Sequence, residues 1–228
     1  MDRAVLFDLD GTLTDSRPGI VNSALHALRR FNETRGANLA IPRPESLRFM
    51  LGPPLQDSFA KLVGPAEAPA LVALFRERYA PIGMFENSVF PGVIEALEAL
   101  AAMGYRLYVA TSKNEVYARR ILDHFGLVRF FIAIHGAEPD GTRANKGELI
   151  AHLLQRRAIE PRLAAMIGDR EHDAWGAKAA GVSAIGVLWG YGSREELSAA
   201  GADPLLAAPH EIAPALAALF SKGAGARK

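Results

Sequence analysis

The sequence predicts an α/β protein: a parallel sheet flanked by helices, with an all-helical segment inserted after the first strand. Three observations carry that prediction. Short, wholly apolar runs alternate with helix-length periodic segments along most of the 228 residues. Such runs suit strands buried on both faces. Two of them end abruptly in carboxylates. One long stretch, 18–86, is helical in pattern and holds no strand.

Val5, Leu6 and Phe7 form the first strand, which runs straight into Asp8. After it Ile20, Val21, Ala24, Leu25, Leu28 and Phe31 share one helical face. Pro42, Pro44 and the Gly52-Pro53-Pro54 break follow, then a helix over 71–79 ended by Pro81. A parallel crossover needs only one helix. Several helices here predict an inserted helical cap over 16–87, with 1–15 and 88–228 forming the core.

In the core, a helix over 93–103 stops at Gly104, a strand covers 107–110, and a helix over 116–125 stops at Gly126. A strand follows over 130–134. After a polar loop over 140–145, Lys146 opens a helix. Strands at 165–167 and 184–188 bracket a helix over 174–180 that stops at Gly181, and the tail 221–228 reads as a frayed end.

Composition narrows the function. Twenty-six Lys+Arg against 25 Asp+Glu leave a formal charge of +1, which argues against a protein that coats nucleic acid or an anionic membrane. With no Cys, disulfides and thiolate chemistry are excluded. The first residues meet Asp8 too early for a signal peptide, and no apolar run spans a bilayer, so a cytoplasmic location is expected. The sequon Asn32-Glu33-Thr34 is then expected to be idle.

The strongest chemical signal is Asp8-Leu9-Asp10-Gly11-Thr12. Open α/β sheets bind ligands at the C-terminal ends of their strands, where this run places two carboxylates. Close carboxylates repel unless a cation lies between them or one holds a proton. One can then be a nucleophile while the other acts as acid and base. An ordinary Asp-Gly turn remains an alternative. A calcium loop would need an acid at its twelfth position, where Gly19 stands.

A second acidic cluster, Asp169-Arg170-Glu171-His172-Asp173, follows the strand at 165–167. Asp173 alone would serve as a helix N-cap, and His172 reads as a loop residue beside the site. Oxygen ligands from two strand ends suit a hard cation such as Mg²⁺. Thr111 and Ser112 lie between a strand and a helix, as an anion site or a plain N-cap. Lys146 stands at a helix start, where the helix dipole disfavours a cation; it faces an anion or is simply solvated.

With these residues in this order, the chain resembles the haloacid dehalogenase-like hydrolase superfamily. The likeness is strongest to its helical-cap phosphatases, the phosphoglycolate phosphatase-like and bacterial 5′-nucleotidase-like groups. It implies a Rossmann-like three-layer core and a Mg²⁺-dependent phosphomonoester hydrolase of a small phosphorylated metabolite. By that resemblance Asp8 carries the phosphoryl group, and Asp10 protonates the leaving alcohol and then activates water. Gly11, Thr111, Ser112 and Lys146 bind phosphate. Asp8, Asp169, the Asp10 carbonyl and, through water, Asp173 hold the metal.

The cap is expected to close over the site, with Gly83 and the stretch at 15–16 as hinges. Arg17, Arg43, Arg48 and Gly52 are candidate substrate contacts. Phe49, Met50, Phe59 and Phe85 either stack on a base or pack the cap interior, packing being favoured. Two other functions use similar residues: a phosphosugar mutase with the same Asp pair, and a non-catalytic phospho-Asp signalling module. The second fits poorly, since receivers are shorter and carry their Asp beyond the first strand. Oligomeric state is not readable from the sequence.

Overall fold

A computed structural model describes residues 3–138 and 142–222. Parts of the polar loop at 140–145 and of the tail at 221–228 therefore lie outside the described residues. The chain forms two compact units, Met1–Thr14 with Val89–Lys228, and Asp15–Ser88.

In the first unit, strands β1 (Ala4–Phe7), β4 (Arg106–Asn114), β5 (Ala133–Ala137), β6 (Ala164–Gly168), β7 (Ser183–Val187) and β8 (Leu205–Leu206) form one sheet in the order β5-β4-β1-β6-β7-β8. Every registered pair is parallel. β2 (Thr14–Asp15) and β3 (Ser88–Val89) form a separate two-stranded sheet. Helices α4 (Val93–Ala102), α5 (Glu115–His124), α6 (Lys146–Arg157), α7 (Glu171–Ala179), α8 (Arg194–Ala200) and α9 (Ile212–Lys222) belong to the same unit.

β1 is buried along its whole length and pairs with β4 on one side and β6 on the other. The chain fills the β4–β5 side first and crosses to β6 afterwards. β1 thus sits at the topological switch, where the carboxyl ends of the strands diverge and leave room for a ligand. Beneath that edge Leu6, Tyr108 and Met166 pack with Leu149, Ile150 and Leu153 of α6.

The second unit contains α1 (Arg17–Arg35), α2 (Leu55–Val63) and α3 (Ala68–Tyr79), plus 3₁₀ turns at Pro44–Met50 and Gly83–Phe85. Pro18 in the first turn starts α1, and Gly36, at φ +60°, ends it in the left-handed region. The face carrying Ile20, Val21, Ala24, Leu25, Leu28 and Phe31 is buried. Arg78 donates two hydrogen bonds of 2.7 Å to the two carboxylate oxygens of Glu86, and its guanidinium also reaches Ser23 Oγ at 3.3 Å.

Two local expectations are corrected. The strand expected over 130–134 runs from Ala133 to Ala137 instead. Val128–Phe130 is a 3₁₀ turn, and the Phe131 ring meets Phe7 edge-on at 6.1 Å. The helix expected from 174 starts at Glu171, so Asp173 lies inside its first turn rather than at the N-cap. Gly83 is closely packed, and a Cβ on it would overlap Ser23 Oγ. A Cβ on Gly19 would overlap the Gly83 carbonyl, and both glycines lie inside the second unit.

Candidate active site

β1 delivers Asp8 at its carboxyl end, where the Asp8 amide donates to the Ile167 carbonyl at 2.9 Å. The chain then turns at Gly11, whose φ of +89° favours glycine. The Gly11 amide donates to Thr14 O at 2.8 Å. That N–H is therefore engaged inside the turn.

β6 delivers Asp169, fully buried, and the first turn of α7 delivers Asp173, which is 4% exposed. Asp8, Asp169 and Asp173 each offer a carboxylate oxygen, all within 4.8 Å of one another. The Asp10 side chain is not part of this group. Its Oδ2 lies 2.6 Å from Lys113 Nζ instead.

Lys146 enters from the first residue of α6, whose N-cap Asn145 accepts from the amides of Gly147 and Glu148. Its ammonium lies 2.8 Å from Asp8 Oδ1, 2.8 Å from Asp173 Oδ1 and 3.0 Å from the Ala110 carbonyl. It donates hydrogen bonds to Asp8 and to the Ala110 carbonyl and forms an ion pair with Asp173. The cation that the helix dipole opposes is thus held by two carboxylates.

The charges explain the shifted proton affinities. Burial works against the charge on Lys146, but the Asp173 and Asp8 carboxylates outweigh it and raise the pKa. Burial pushes Asp169 well above the usual carboxylate range, reinforced by Asp173 and Asp8 and only partly opposed by the Tyr191 amide. Asp173 is raised by burial too, against the pull of Lys146. Three buried carboxylates with one shared ammonium leave an excess of negative charge that a hard dication would offset. The all-oxygen donor set fits Mg²⁺.

Both oxygens of Asp169 are held. Thr12 Oγ1 donates to Oδ1 at 3.2 Å and the Tyr191 amide donates to Oδ2 at 2.8 Å. The Trp189 indole N–H donates to the Thr12 carbonyl at 3.0 Å, tying the segment after β7 to the turn after β1. Glycines make this approach possible. A Cβ on Gly11 or Gly190 would overlap the Asp169 side chain, and one on Gly168 would overlap that of Asp173.

Thr111 is buried in β4, just before the register shift with β5, with its hydroxyl accepting from the Lys113 amide at 3.2 Å. It does not cap a helix, nor does Ser112. The cap of α5 is Asn114, whose side chain accepts from Val116 N at 3.0 Å. Sequence reasoning passed over Lys113, Thr12 and Tyr191. Only the Gly190-Tyr191-Gly192 run just beyond a strand hinted at a close approach there.

The expected substrate contacts belong to the second unit. Arg17 Nη2 lies 3.7 Å from Asp15 Oδ2, Arg48 and Gly52 are exposed, and the Lys61 ammonium lies 5.9 Å over the Phe49 ring. Met50 and Phe59 are buried, the latter edge-on to Phe75 at 6.1 Å, so these two pack the interior.

Comparison with known proteins agrees with this geometry. A family model described as haloacid dehalogenase-like hydrolase matches residues 5–187. A 5′-nucleotidase of Pseudomonas aeruginosa is 48% identical over 199 residues, 86% of each chain. A phosphoglycolate phosphatase of Rhodospirillum rubrum is 34% identical, covering 89% of this chain and 86% of that protein. The tyrosine-protein kinase PtkA of Mycobacterium bovis is 42% identical over 82% of this chain and 62% of its own length. Among solved structures, "a predicted phosphatase from Clostridium acetobutylicum" superposes with a TM-score of 0.87 at 36% identity, covering 97% of this chain and 99% of that one. Sheet order, acidic strand ends and matched sequence thus converge, and the chain belongs to the haloacid dehalogenase-like hydrolase family.

Proposed function

We propose that this phosphatase is a Mg²⁺-dependent phosphomonoesterase acting on a small metabolite, a 5′-nucleotide or phosphoglycolate, through an aspartyl-phosphate on Asp8. The observation that supports it most is the convergence of the Asp8, Asp169 and Asp173 carboxylates at the switch point of the sheet, with the Lys146 ammonium held by Asp8 and Asp173. The 5′-nucleotidase and phosphoglycolate phosphatase relatives support the substrate classes.

Asp8, Asp169 and Asp173 would hold the metal, together with the Asp10 carbonyl. Bound Mg²⁺ would supply the positive charge that lets a phosphate dianion approach carboxylates. Lys146 fixes Asp8 at 2.8 Å and neutralises part of its charge. As Asp8 oxygen bonds to phosphorus, the ester P–O bond breaks and Asp10 gives its proton to the leaving alcohol. A water then attacks phosphorus and passes its proton to Asp10 as the Asp8–phosphorus bond breaks. Thr111 and Ser112 would bind phosphoryl oxygens, and the helical unit would act as the specificity cap through Arg17, Arg48, Phe49 and Gly52.

The test is hydrolysis of an aryl phosphate with and without Mg²⁺ by the wild type and Asp8→Asn. Full activity in the variant overturns the mechanism. A panel of nucleoside 5′-monophosphates against phosphoglycolate, compared by kcat/KM, identifies the substrate.

A further inference from the structure

We infer that Lys113 is a positioning residue that aims Asp10 at the leaving group, an inference that rests on the proposed hydrolase reaction. β4 and β5 pair in step through Thr111↔Gly136, yet the next pair is Asn114↔Ala137. One strand advances three residues while the other advances one, so Ser112 and Lys113 form a bulge beside the site. Bulges redirect side chains, and they recur next to active sites.

This bulge is built into the fold. Gly136 faces it on β5, and a Cβ there would come within 2.6 Å of the Lys113 carbonyl and 2.7 Å of Glu115 Cα. Real Cβ atoms essentially never come that close, so glycine is required for the bulge to lie against its neighbour. The Gly136 amide also donates to Glu115 Oε2 at 3.2 Å, bonding the strand to the residue that opens α5. The Thr111 hydroxyl accepts from the Lys113 amide within the bulge.

The bulge turns Lys113 to the end of β1. Its side chain is only 9% exposed, and its ammonium lies 2.6 Å from Asp10 Oδ2. The other oxygen, Asp10 Oδ1, is buried and has no hydrogen-bond partner among the described residues. A buried carboxylate oxygen without a donor is costly, so its persistence indicates a use. Lys113 anchors one oxygen of Asp10 and leaves the other open for the proton that the reaction moves. Asp8 is held separately by Lys146. Each carboxylate of the pair has its own lysine, one securing the nucleophile and one aiming the acid.

The experiment compares phenyl phosphate, whose phenolate needs a proton as it leaves, with 2,4-dinitrophenyl phosphate, whose leaving group does not. General acid catalysis contributes roughly 10²–10⁴-fold, so Lys113→Met should lower kcat/KM for phenyl phosphate by at least about tenfold while leaving the dinitrophenyl ester within about threefold. In an Asp10→Asn background, adding Lys113→Met should cost no more than about twofold, because the positioned group is already gone. Lys113→Arg, which keeps a cation, should recover part of the loss.

Equal losses on the two esters, or full additivity with Asp10→Asn, would mean that Lys113 acts on phosphate or on the fold, and would overturn the inference. If Lys113→Met fails to fold by circular dichroism, Lys113→Gln carries the same comparison. A wild-type protein that hydrolyses neither ester overturns the proposed function, and this inference with it.

Discussion

The Lys146 ammonium lies 2.8 Å from Asp8 Oδ1, a buried hydrogen bond between residues 138 positions apart. The lysine joins the first strand to the helix that precedes β6, and it serves Asp173 equally. Removing it leaves buried carboxylates uncompensated. Lys146→Met should therefore destabilise the metal-free protein by about 3 kcal/mol or more, read from the urea midpoint. Hydrolysis should fall by at least about a hundredfold, since a preorganised charge is lost.

Magnesium should stabilise the folded protein. At a hundred times the dissociation constant, a ligand specific to the native state contributes about 2.7 kcal/mol, and a chain of this size gains about 2–4 °C in Tm per kcal/mol. The gain should weaken as pH falls, because burial raises the Asp169 and Asp173 pKa values and the ligands must be deprotonated to bind. Differential scanning fluorimetry across pH and Mg²⁺ concentration checks this, with Asp169→Asn expected to abolish the gain.

Gly190→Ala should damage the site with no change in its chemistry. The added methyl would overlap Asp169 Cβ and the Gly11 carbonyl. Overpacking of this kind costs roughly 1–3 kcal/mol. Calorimetric titration should show weakened Mg²⁺ binding as Asp169 is displaced, while circular dichroism keeps its helical signature.

Acid sensitivity is expected outside the site as well. Burial, assisted by the Arg157 charge, lowers the His135 pKa from the ordinary 6.5, although Glu115 opposes the shift. The unfolded chain then binds more protons between the lowered value and 6.5. Stability from this group is complete above about pH 6.5 and is lost as pH falls through the folded pKa. Thermal denaturation from pH 5 to 7.5 should show this slope, flattened in His135→Gln.

The acids were legible in the sequence because each follows directly on an apolar strand. Asp8 and Asp169 need only the local run to be placed at the ligand edge. Lys146 was legible as a cation at a helix start, where the dipole demands a reason for it. Lys113 was not, because its aim depends on a bulge set by pairing with Gly136 on another strand. The hold of Thr12 on Asp169 joins residues 157 positions apart, beyond the reach of any local pattern. Periodicity also misplaced β5, since the apolar run from Phe130 includes Phe131, which packs on Phe7 before strand pairing begins.

The central place of β1 sets a timetable for synthesis. Ala4 pairs with Arg106 on one side and with Ala164 on the other. At roughly 5–20 residues per second, the second partner leaves the ribosome on the order of ten seconds after β1 itself. Through that interval a wholly apolar strand waits with an open edge and with Asp8 far ahead of its lysine. The nascent chain is thus open to misassembly at that edge until β6 arrives.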